Sequence, residues 1–150
     1  MDKPARILVV DDDENIRVTV EAILKNEGYA VDVVASGGDA IKKSASTAYN
    51  LVLIDIRLPD MEGTELLTGM KDTVPKMRKI ILTGYPSMQN AIEAVNKNAD
   101  AYLVKPVNVA KLLELVREQL KLQETERKHS EQKVSDFIAS RAKEISKAKR

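Results

Sequence analysis

Three features of this 150-residue sequence predict an α/β fold with a doubly wound, five-stranded parallel sheet and an extended C-terminal helix. Short apolar, β-branched segments alternate with segments of helical periodicity, which is typical of right-handed β-α-β crossovers. Residues 7–10 and 51–54 are continuously apolar, as strands buried on both faces of a sheet are. No glycine or proline follows Pro106, so the last helix can continue beyond the sheet.

Five strand–helix units follow one another along the chain. Strands are predicted at residues 6–10, 30–34, 51–54, 79–82 and 101–104. Helices are predicted at residues 14–27, after Ser36, near 63–72, at 87–97 and from 109 onward. Helix-boundary signals support these positions, namely Asp13, Ser36 and Asn108 as N-caps and Gly28 after the first helix. Asp39, three residues after Ser36, completes a start that resembles a capping box.

The composition indicates a soluble protein with one main domain. Hydrophobic residues make up 43% of the chain and charged residues 31%, and 150 residues are enough for one sizeable core. The absence of cysteine excludes disulfides and thiolate metal sites and favours a cytoplasmic location. No apolar stretch is long enough to cross a membrane, and the N-terminus does not resemble a signal peptide.

The net charge of +1 is unevenly distributed. Residues 1–120 carry 15 basic and 18 acidic side chains, whereas residues 121–150 carry 9 basic and 5 acidic side chains. We therefore expect two parts, a globular domain at 1–120 and a charged helical extension at 121–150. The acidic balance of the first part and an aromatic content of only 3% argue against specific nucleic-acid binding.

The extension allows two interpretations. Val134, Phe137, Ile138 and Ile145 follow a helical spacing, after a polar segment at 121–133 in which Leu122 is the only large apolar residue. The segment is either a solvated tail or a second amphipathic helix that binds a partner. In the second case residues 109–148 form one long helix that supports a homodimer.

Charged residues follow three of the predicted strands. Asp11 and Asp12 come after the first strand, Asp55 after the third and Lys105 after the fifth. Because the carboxyl ends of parallel strands line one crevice, these side chains are expected to meet. Three carboxylates offer the hard oxygen ligands that Mg²⁺ prefers, with water and a backbone carbonyl to complete the shell.

This cluster suits phosphoryl chemistry. A carboxylate such as Asp55 can attack a phosphoryl group and form an acyl phosphate. The incoming oxygens need compensating positive charge, which a metal and the ammonium of Lys105 provide. Thr83, which follows the fourth strand, adds a hydroxyl donor.

Four motifs in order resemble the receiver domain of two-component response regulators. They are Val-Val-Asp-Asp-Asp at 9–13, Leu-Ile-Asp-Ile-Arg-Leu-Pro-Asp-Met-Glu-Gly at 53–63, Leu-Thr-Gly at 82–84 and Asp-Ala-Tyr-Leu-Val-Lys-Pro at 100–106. The resemblance covers residues 5 to about 120. It implies a flavodoxin-like sheet with strand order 2-1-3-4-5 and a cis peptide bond between Lys105 and Pro106.

The resemblance also assigns roles to individual residues. Asp55 would be the phosphoacceptor, and it would bind Mg²⁺ together with Asp11, Asp12 and the backbone carbonyl of Arg57. Two further residues would bind the phosphoryl oxygens, Thr83 and Lys105. Thr83 would also act as a switch together with Tyr102, whose ring would turn inward on phosphorylation.

The function implied is that of a phosphorylation-activated response regulator. A sensor histidine kinase or a phosphotransfer protein would phosphorylate Asp55, and a conformational switch would then signal to a downstream protein. The surface expected to change is formed by the helix at 87–97, the strand at 101–104 and the last helix. The chain would catalyse only its own phosphorylation and dephosphorylation.

Three alternatives remain at this point. The chain can be the receiver part of a longer regulator whose DNA-binding or enzymatic output domain is absent. It can also be a binding module that signals without phosphorylation, although the complete acid, hydroxyl and ammonium set argues against this. Haloacid-dehalogenase-like phosphatases use similar groups, but they have a second catalytic aspartate where this sequence has Arg57.

Overall fold

The computed structural model describes residues 3–70, 73, 75–84 and 99–148. Five parallel strands form one sheet in the order β2-β1-β3-β4-β5, which confirms the predicted fold class and strand order. The strands are β1 (Arg6–Val10), β2 (Ala30–Val34), β3 (Leu51–Asp55), β4 (Arg78–Thr83) and β5 (Ala101–Val104). Each lies within two residues of its predicted position.

Four helices lie in the described ranges. They are α1 (Glu14–Asn26), α2 (Gly37–Ser46), α3 (Gly63–Gly69) and α4 (Val109–Ala148). The predicted helix near 63–72 ends at Gly69, and Met70 has an extended backbone. The helix predicted at 87–97 lies outside the described residues. None of the four helices combines the length and apolar character needed to cross a membrane.

Side-chain caps mark the start of α1, α2 and α4, as the sequence predicts, whereas α3 begins without one. Asp13 accepts hydrogen bonds from the backbone N–H groups of Asn15 and Ile16 at the start of α1. Ser36 accepts one from Asp39 at the start of α2, and Asn108 accepts one from Lys111 at the start of α4. Gly28, just after α1, has a positive φ of 96°, a conformation that glycine adopts without steric cost.

The core consists of two apolar layers, one on each face of the sheet. Successive side chains of a strand point to opposite faces, so β1 and β3 contribute to both layers. Leu8, Val10, Val52 and Ile54 pack on one face. The other face holds Ile7, Val9, Leu51, Leu53 and two buried residues of α4, Leu112 and Val116.

Polar side chains fasten α4 to the amino end of the sheet. Gln123 is almost completely buried, and its Nε2 donates to the backbone carbonyls of Asn50 and Lys76 at 2.8 and 2.9 Å. Arg78, the first residue of β4, donates from Nε to Gln119 at 2.9 Å and from Nη1 to Glu126 at 3.1 Å. These bonds continue the contact between helix and sheet past residue 120.

Beyond this attachment, α4 continues as one helix to Ala148. Val134, Phe137, Ile138 and Ile145 are all exposed there. The prediction of a single helix over 109–148 is confirmed, and the amphipathic stripe lies uncovered on its surface.

Candidate functional site

Parallel pairing brings three carboxylates together at the carboxyl end of the sheet. Val10 pairs with Ile54, so Asp11 and Asp55, the next residues, lie side by side. One ligand oxygen from each of Asp11, Asp12 and Asp55 lies within 4.8 Å of the other two. Asp11 and Asp55 are buried, whereas Asp12 is exposed at the mouth of the crevice.

Lys105 reaches the two buried carboxylates. Its Nζ lies 2.9 Å from Oδ2 of Asp11 and 3.2 Å from Oδ2 of Asp55. Its backbone N–H donates to the carbonyl of Thr83 at 2.6 Å, which joins the loop after β5 to the end of β4. The peptide bond between Lys105 and Pro106 is cis, as predicted. One cation is therefore shared between two buried acids.

The electrostatics of the crevice disfavour its negative charge. Burial raises the pKa of Asp55, and the charge of Asp11 raises it further, while the backbone N–H of Arg57 and the ammonium of Lys105 act in the opposite direction. Burial acts to lower the pKa of Lys105, but hydrogen bonds and charge from Asp11 and Asp55 outweigh this and raise it. Lys105 therefore stays charged, and its one positive charge does not offset the burial of Asp55.

The donor set fits a small divalent cation. Oδ1 of Asp11 accepts from the backbone N–H of Asp13 at 2.9 Å, and Oδ1 of Asp55 accepts from that of Arg57 at 3.2 Å. Apart from Lys105, no donor in the described part of the chain bonds to Oδ2 of Asp11. Carboxylate oxygens in this arrangement suit Mg²⁺, which is bound through one or two carboxylates and retains several waters.

The loop that carries Asp11 and Asp12 is held by its neighbours. Nη1 of Arg17 donates to the backbone carbonyl of Asp11 at 2.8 Å. Asp13 uses its carboxylate to cap α1, so it serves as the entry cap that the sequence predicts. Arg17 in α1 and Asp13 at its N-cap therefore hold this loop in place.

Thr83 and Tyr102 lie on the two strands beside this crevice. Thr83 is completely buried as the last residue of β4. Tyr102 of β5 is half-buried and packs against the apolar layer that contains Ile81 and Met77. Its hydroxyl is buried without a hydrogen-bond partner among residues 3–70, 73, 75–84 and 99–148.

Two residues that shape the crevice were not singled out by sequence reasoning. Gly63 opens α3 directly against β3, and a Cβ atom at this position would overlap the backbone carbonyl of Asp55. Asp60 accepts hydrogen bonds from the backbone N–H groups of Gly37 and Gly38 at 2.9 and 2.8 Å, which lowers its pKa. It therefore joins the loop after Asp55 to the start of α2.

Three other residues complete the description of the site and its surroundings. His129, the only histidine of the chain, is exposed on α4, far along the sequence from the crevice residues. Arg57 forms an isolated antiparallel bridge with Glu62 in the loop after β3. Tyr85, which flanks the motif at 82–84, lies outside the described residues.

Comparisons with known proteins agree with this geometry. A family model of the response regulator receiver domain matches residues 7–117. The transcriptional regulatory protein ZraR of Klebsiella oxytoca is 39% identical over 106 residues, which make up 71% of this chain and 24% of that protein. The chain thus spans about a quarter of the length of the ZraR relatives that it matches.

Solved structures give the same result. A CheY-like receiver domain protein from Methanospirillum hungatei JF-1 superposes with a TM-score of 0.77 at 47% identity, covering 82% of this chain and 98% of that one. NtrX from Brucella abortus superposes with a TM-score of 0.79 at 28% identity, covering 85% of this chain and 29% of that one. Since the matching family model also extends over most of the chain, this protein belongs to the response regulator receiver domain family of two-component systems.

Proposed function

We propose that this receiver domain is a switch that accepts a phosphoryl group on Asp55. The observation that carries the proposal is the position of Asp55, buried at the end of β3 between the other two carboxylates and Lys105. An oxygen of Asp55 attacks phosphorus, a new O–P bond forms, and the bond to the donor breaks. The donor is a sensor histidine kinase or a phosphotransfer protein, in which that bond joins phosphorus to a histidine nitrogen.

A divalent cation, Mg²⁺, is proposed to bind at the acidic cluster. Asp11, Asp12 and Asp55 would hold it together with the backbone carbonyl of Arg57. When bound, it supplies positive charge close to the phosphoryl oxygens. The distances among the three carboxylates and their shortage of positive charge support this assignment.

Lys105 and Thr83 are proposed to bind the phosphoryl oxygens. Lys105 already contacts Oδ2 of Asp55, so its ammonium lies where negative charge arrives during transfer. The hydroxyl of Thr83 belongs to the neighbouring strand end, which is joined to Lys105 through the backbone. Phosphorylation adds negative charge to Asp55. The ammonium of Lys105 and the hydroxyl of Thr83 both interact favourably with this added charge, so both groups favour the phosphorylated state.

We propose that Thr83 and Tyr102 transmit the conformational change that follows phosphorylation of Asp55 to the protein surface. A groove of about 370 Å³ lies next to Tyr102 and is bordered by Val104, Pro106, Lys111 and Leu115. Movement of Tyr102 alters this groove directly, so its borders are the proposed docking site for a downstream protein. Such a switch requires only a few kcal/mol of differential stabilisation between two existing states.

We further propose a cytoplasmic location and self-association through α4. The location follows from the proposed donor proteins and from the absence of cysteine. Self-association is supported by the exposed apolar residues of α4 beyond its attachment to the sheet.

The phosphoacceptor is tested with Asp55→Asn. Incubation with a small phosphodonor and Mg²⁺ should add one phosphoryl group to the unsubstituted protein, measured by intact mass, and none to the variant. Asp39→Asn, the same change at an exposed helix position, should keep full labelling. Labelling of Asp55→Asn would overturn the assignment.

The same preparation distinguishes the switch from a phosphatase. With a generic phosphate monoester as substrate, a phosphatase releases phosphate over many turnovers, whereas a switch whose donor is a phosphorylated histidine shows no sustained release. Sustained turnover that is lost in Asp55→Asn would establish the enzyme instead of the switch.

A further inference from the structure

The distal part of α4 presents an apolar stripe, which only Arg141 interrupts. Val134, Phe137, Ile138 and Ile145 are between 58% and 64% exposed and recur at intervals that place them on one side of the helix. Exposed apolar residues that occur singly need no explanation, but a contiguous patch of them marks an interaction surface.

This stripe lies on the side of α4 that also carries the domain. Val134 follows the buried Val116 by eighteen residues, which is five full turns of helix, so both point in the same direction. Val134 and Ile138 border a groove of about 720 Å³ whose other wall contains Thr73 and Pro75. The stripe therefore faces the space below the amino end of the sheet.

We propose that a second copy of this chain covers the stripe with its own stripe, in antiparallel orientation. This rests on the self-association proposed above and specifies its geometry. In a parallel pair, each helix would face the other with the side that carries its own domain, so the two domains would occupy the same space. In an antiparallel pair, each domain lies beyond the distal part of the opposite helix, and both stripes are covered.

The charges beside the stripe complement each other in this arrangement. If Val134 lies opposite Ile145 of the second copy, Lys133 approaches Glu144 of the second copy, and the two-fold symmetry repeats this contact. Lys133 and Glu144 flank the stripe on the same side of the helix, and such positions meet in an antiparallel pair. Arg141 lies within the stripe, between Ile138 and Ile145, and its charge is paired inside its own chain, since it bonds to Glu144 at 3.2 Å and stacks 5.8 Å from the centre of the Phe137 ring.

The dimer is tested by sedimentation of the full chain over a range of concentrations, with and without a phosphodonor. We expect a dimer that Ile138→Glu weakens at least tenfold. Ala139→Glu, one residue away and turned from the stripe, should leave the dissociation constant unchanged. A monomer under both conditions, or equal effects of the two substitutions, would overturn the proposal.

Failure of this proposal is distinguishable from failure of the phosphoacceptor proposal. Within the described residues, Glu126 is the last residue of α4 with a side chain that bonds to the domain, so substitutions at 138 and 139 leave the fold intact. Labelling of Asp55 should therefore be the same in both variants, whatever their oligomeric state.

Orientation is tested with introduced cysteines, because the chain has none of its own. Val134→Cys mixed with Ile145→Cys should give a disulfide-linked dimer of the two variants, separable by mass. Either variant alone should not crosslink in an antiparallel pair, since equivalent positions are then about 16 Å apart along the helix axis, beyond the reach of a disulfide. Efficient crosslinking of each variant alone would establish a parallel pair and overturn the antiparallel geometry.

Discussion

Arg78, which is buried, and Lys105, which is partly buried, are cations at opposite ends of the parallel sheet, and each lies between two acidic side chains. Arg78 contacts Asp100 at 3.4 Å and Glu126 at 3.1 Å, and it also donates to the neutral Gln119. Lys105 contacts Asp11 and Asp55 at similar distances.

The two ends differ in how completely their charges are matched. Glu126 is half exposed, so water shares the stabilisation of its carboxylate. Asp11 is completely buried and depends on Lys105, with Asp12 adding a third negative charge nearby. We call the Arg78 end of the sheet the matched end, because water helps to stabilise its acid Glu126. We call the Lys105 end the unmatched end, because its acids are buried and outnumber their one cation. A matched cluster holds elements together, whereas an unmatched cluster is suited to binding a cation and a phosphoryl group.

The largest expected effect is on stability at the matched end. Arg78→Met keeps most of the side-chain volume but leaves Asp100 without its cation and Oε1 of Gln119 without its donor. Because broken buried ion pairs leave uncompensated polar groups, we expect a loss of about 3 kcal/mol in the free energy of unfolding, measured with urea. Labelling of Asp55 in the folded variant should be unchanged.

A matched control for that substitution is Arg78→Lys. A lysine retains the charge but cannot donate in the planar pattern that reaches three acceptors, so its loss should be intermediate. Equal stability of all three proteins would show that this polar attachment does not hold α4 to the sheet.

The second-largest expected effect is stabilisation of the protein by Mg²⁺, which should depend on the unmatched end of the sheet and not on the matched end. At a concentration one hundred times its dissociation constant, Mg²⁺ should raise the free energy of unfolding of the unsubstituted protein by about 2.7 kcal/mol, as ligand linkage requires. Thermal unfolding with Mg²⁺ and with a chelator measures this increment. Arg78→Met should keep it and Asp12→Asn should lose most of it, and an increment retained in Asp12→Asn would contradict the proposed site.

The smallest expected effect concerns pH in metal-free solution. The pKa of Asp55 is raised in the folded protein above its ordinary 3.8, so ionised Asp55 destabilises the fold. Asp55→Asn should therefore be more stable than the unsubstituted protein at pH 7. Their stabilities should converge as the pH falls through the raised pKa and below 3.8.

Asp60 provides a control, because the same substitution there should change the stability at pH 7 in the opposite direction. Its pKa is lowered by hydrogen bonds from Gly38 and Gly37, so its ionised form stabilises the fold. Asp60→Asn should be less stable than the unsubstituted protein at pH 7, and this difference should disappear only below the lowered pKa. A loss of stability at neutral pH in Asp55→Asn would show that Lys105 compensates the crevice charge fully.

The sequence predicts the unmatched end of the sheet well because topology alone assembles it. Asp11, Asp55, Thr83 and Lys105 each end or follow a strand, and a parallel sheet brings strand ends together whatever the details of packing. The helix caps at Asp13, Ser36 and Asn108 are equally local, since each bonds to groups two or three residues away.

The matched end was not predicted because its partners lie on a helix, where no rule about strand ends brings them together. Arg78 and Gln119 are 41 residues apart and Asn50 and Gln123 are 73 apart, and only the register of α4 on the sheet pairs them. A signal was nevertheless present, because Gln119 and Gln123 continue the helix face begun by Leu112 and Val116. Polar residues on a buried face require partners, whereas the polarity of the segment alone suggested solvent exposure.

Because α4 is one unbroken helix of 40 residues, the direction of its distal stripe is set by the number of residues after the attachment at Gln123 and Glu126. Inserting one residue between Glu126 and Val134 would turn the stripe by about 100° and move it away from the side that faces the domain. Inserting seven residues would nearly restore its direction. Sequences that keep this surface should therefore vary in length here in steps of about seven residues, so the segment acts as a spacer whose length, more than its side chains, sets the direction of the stripe.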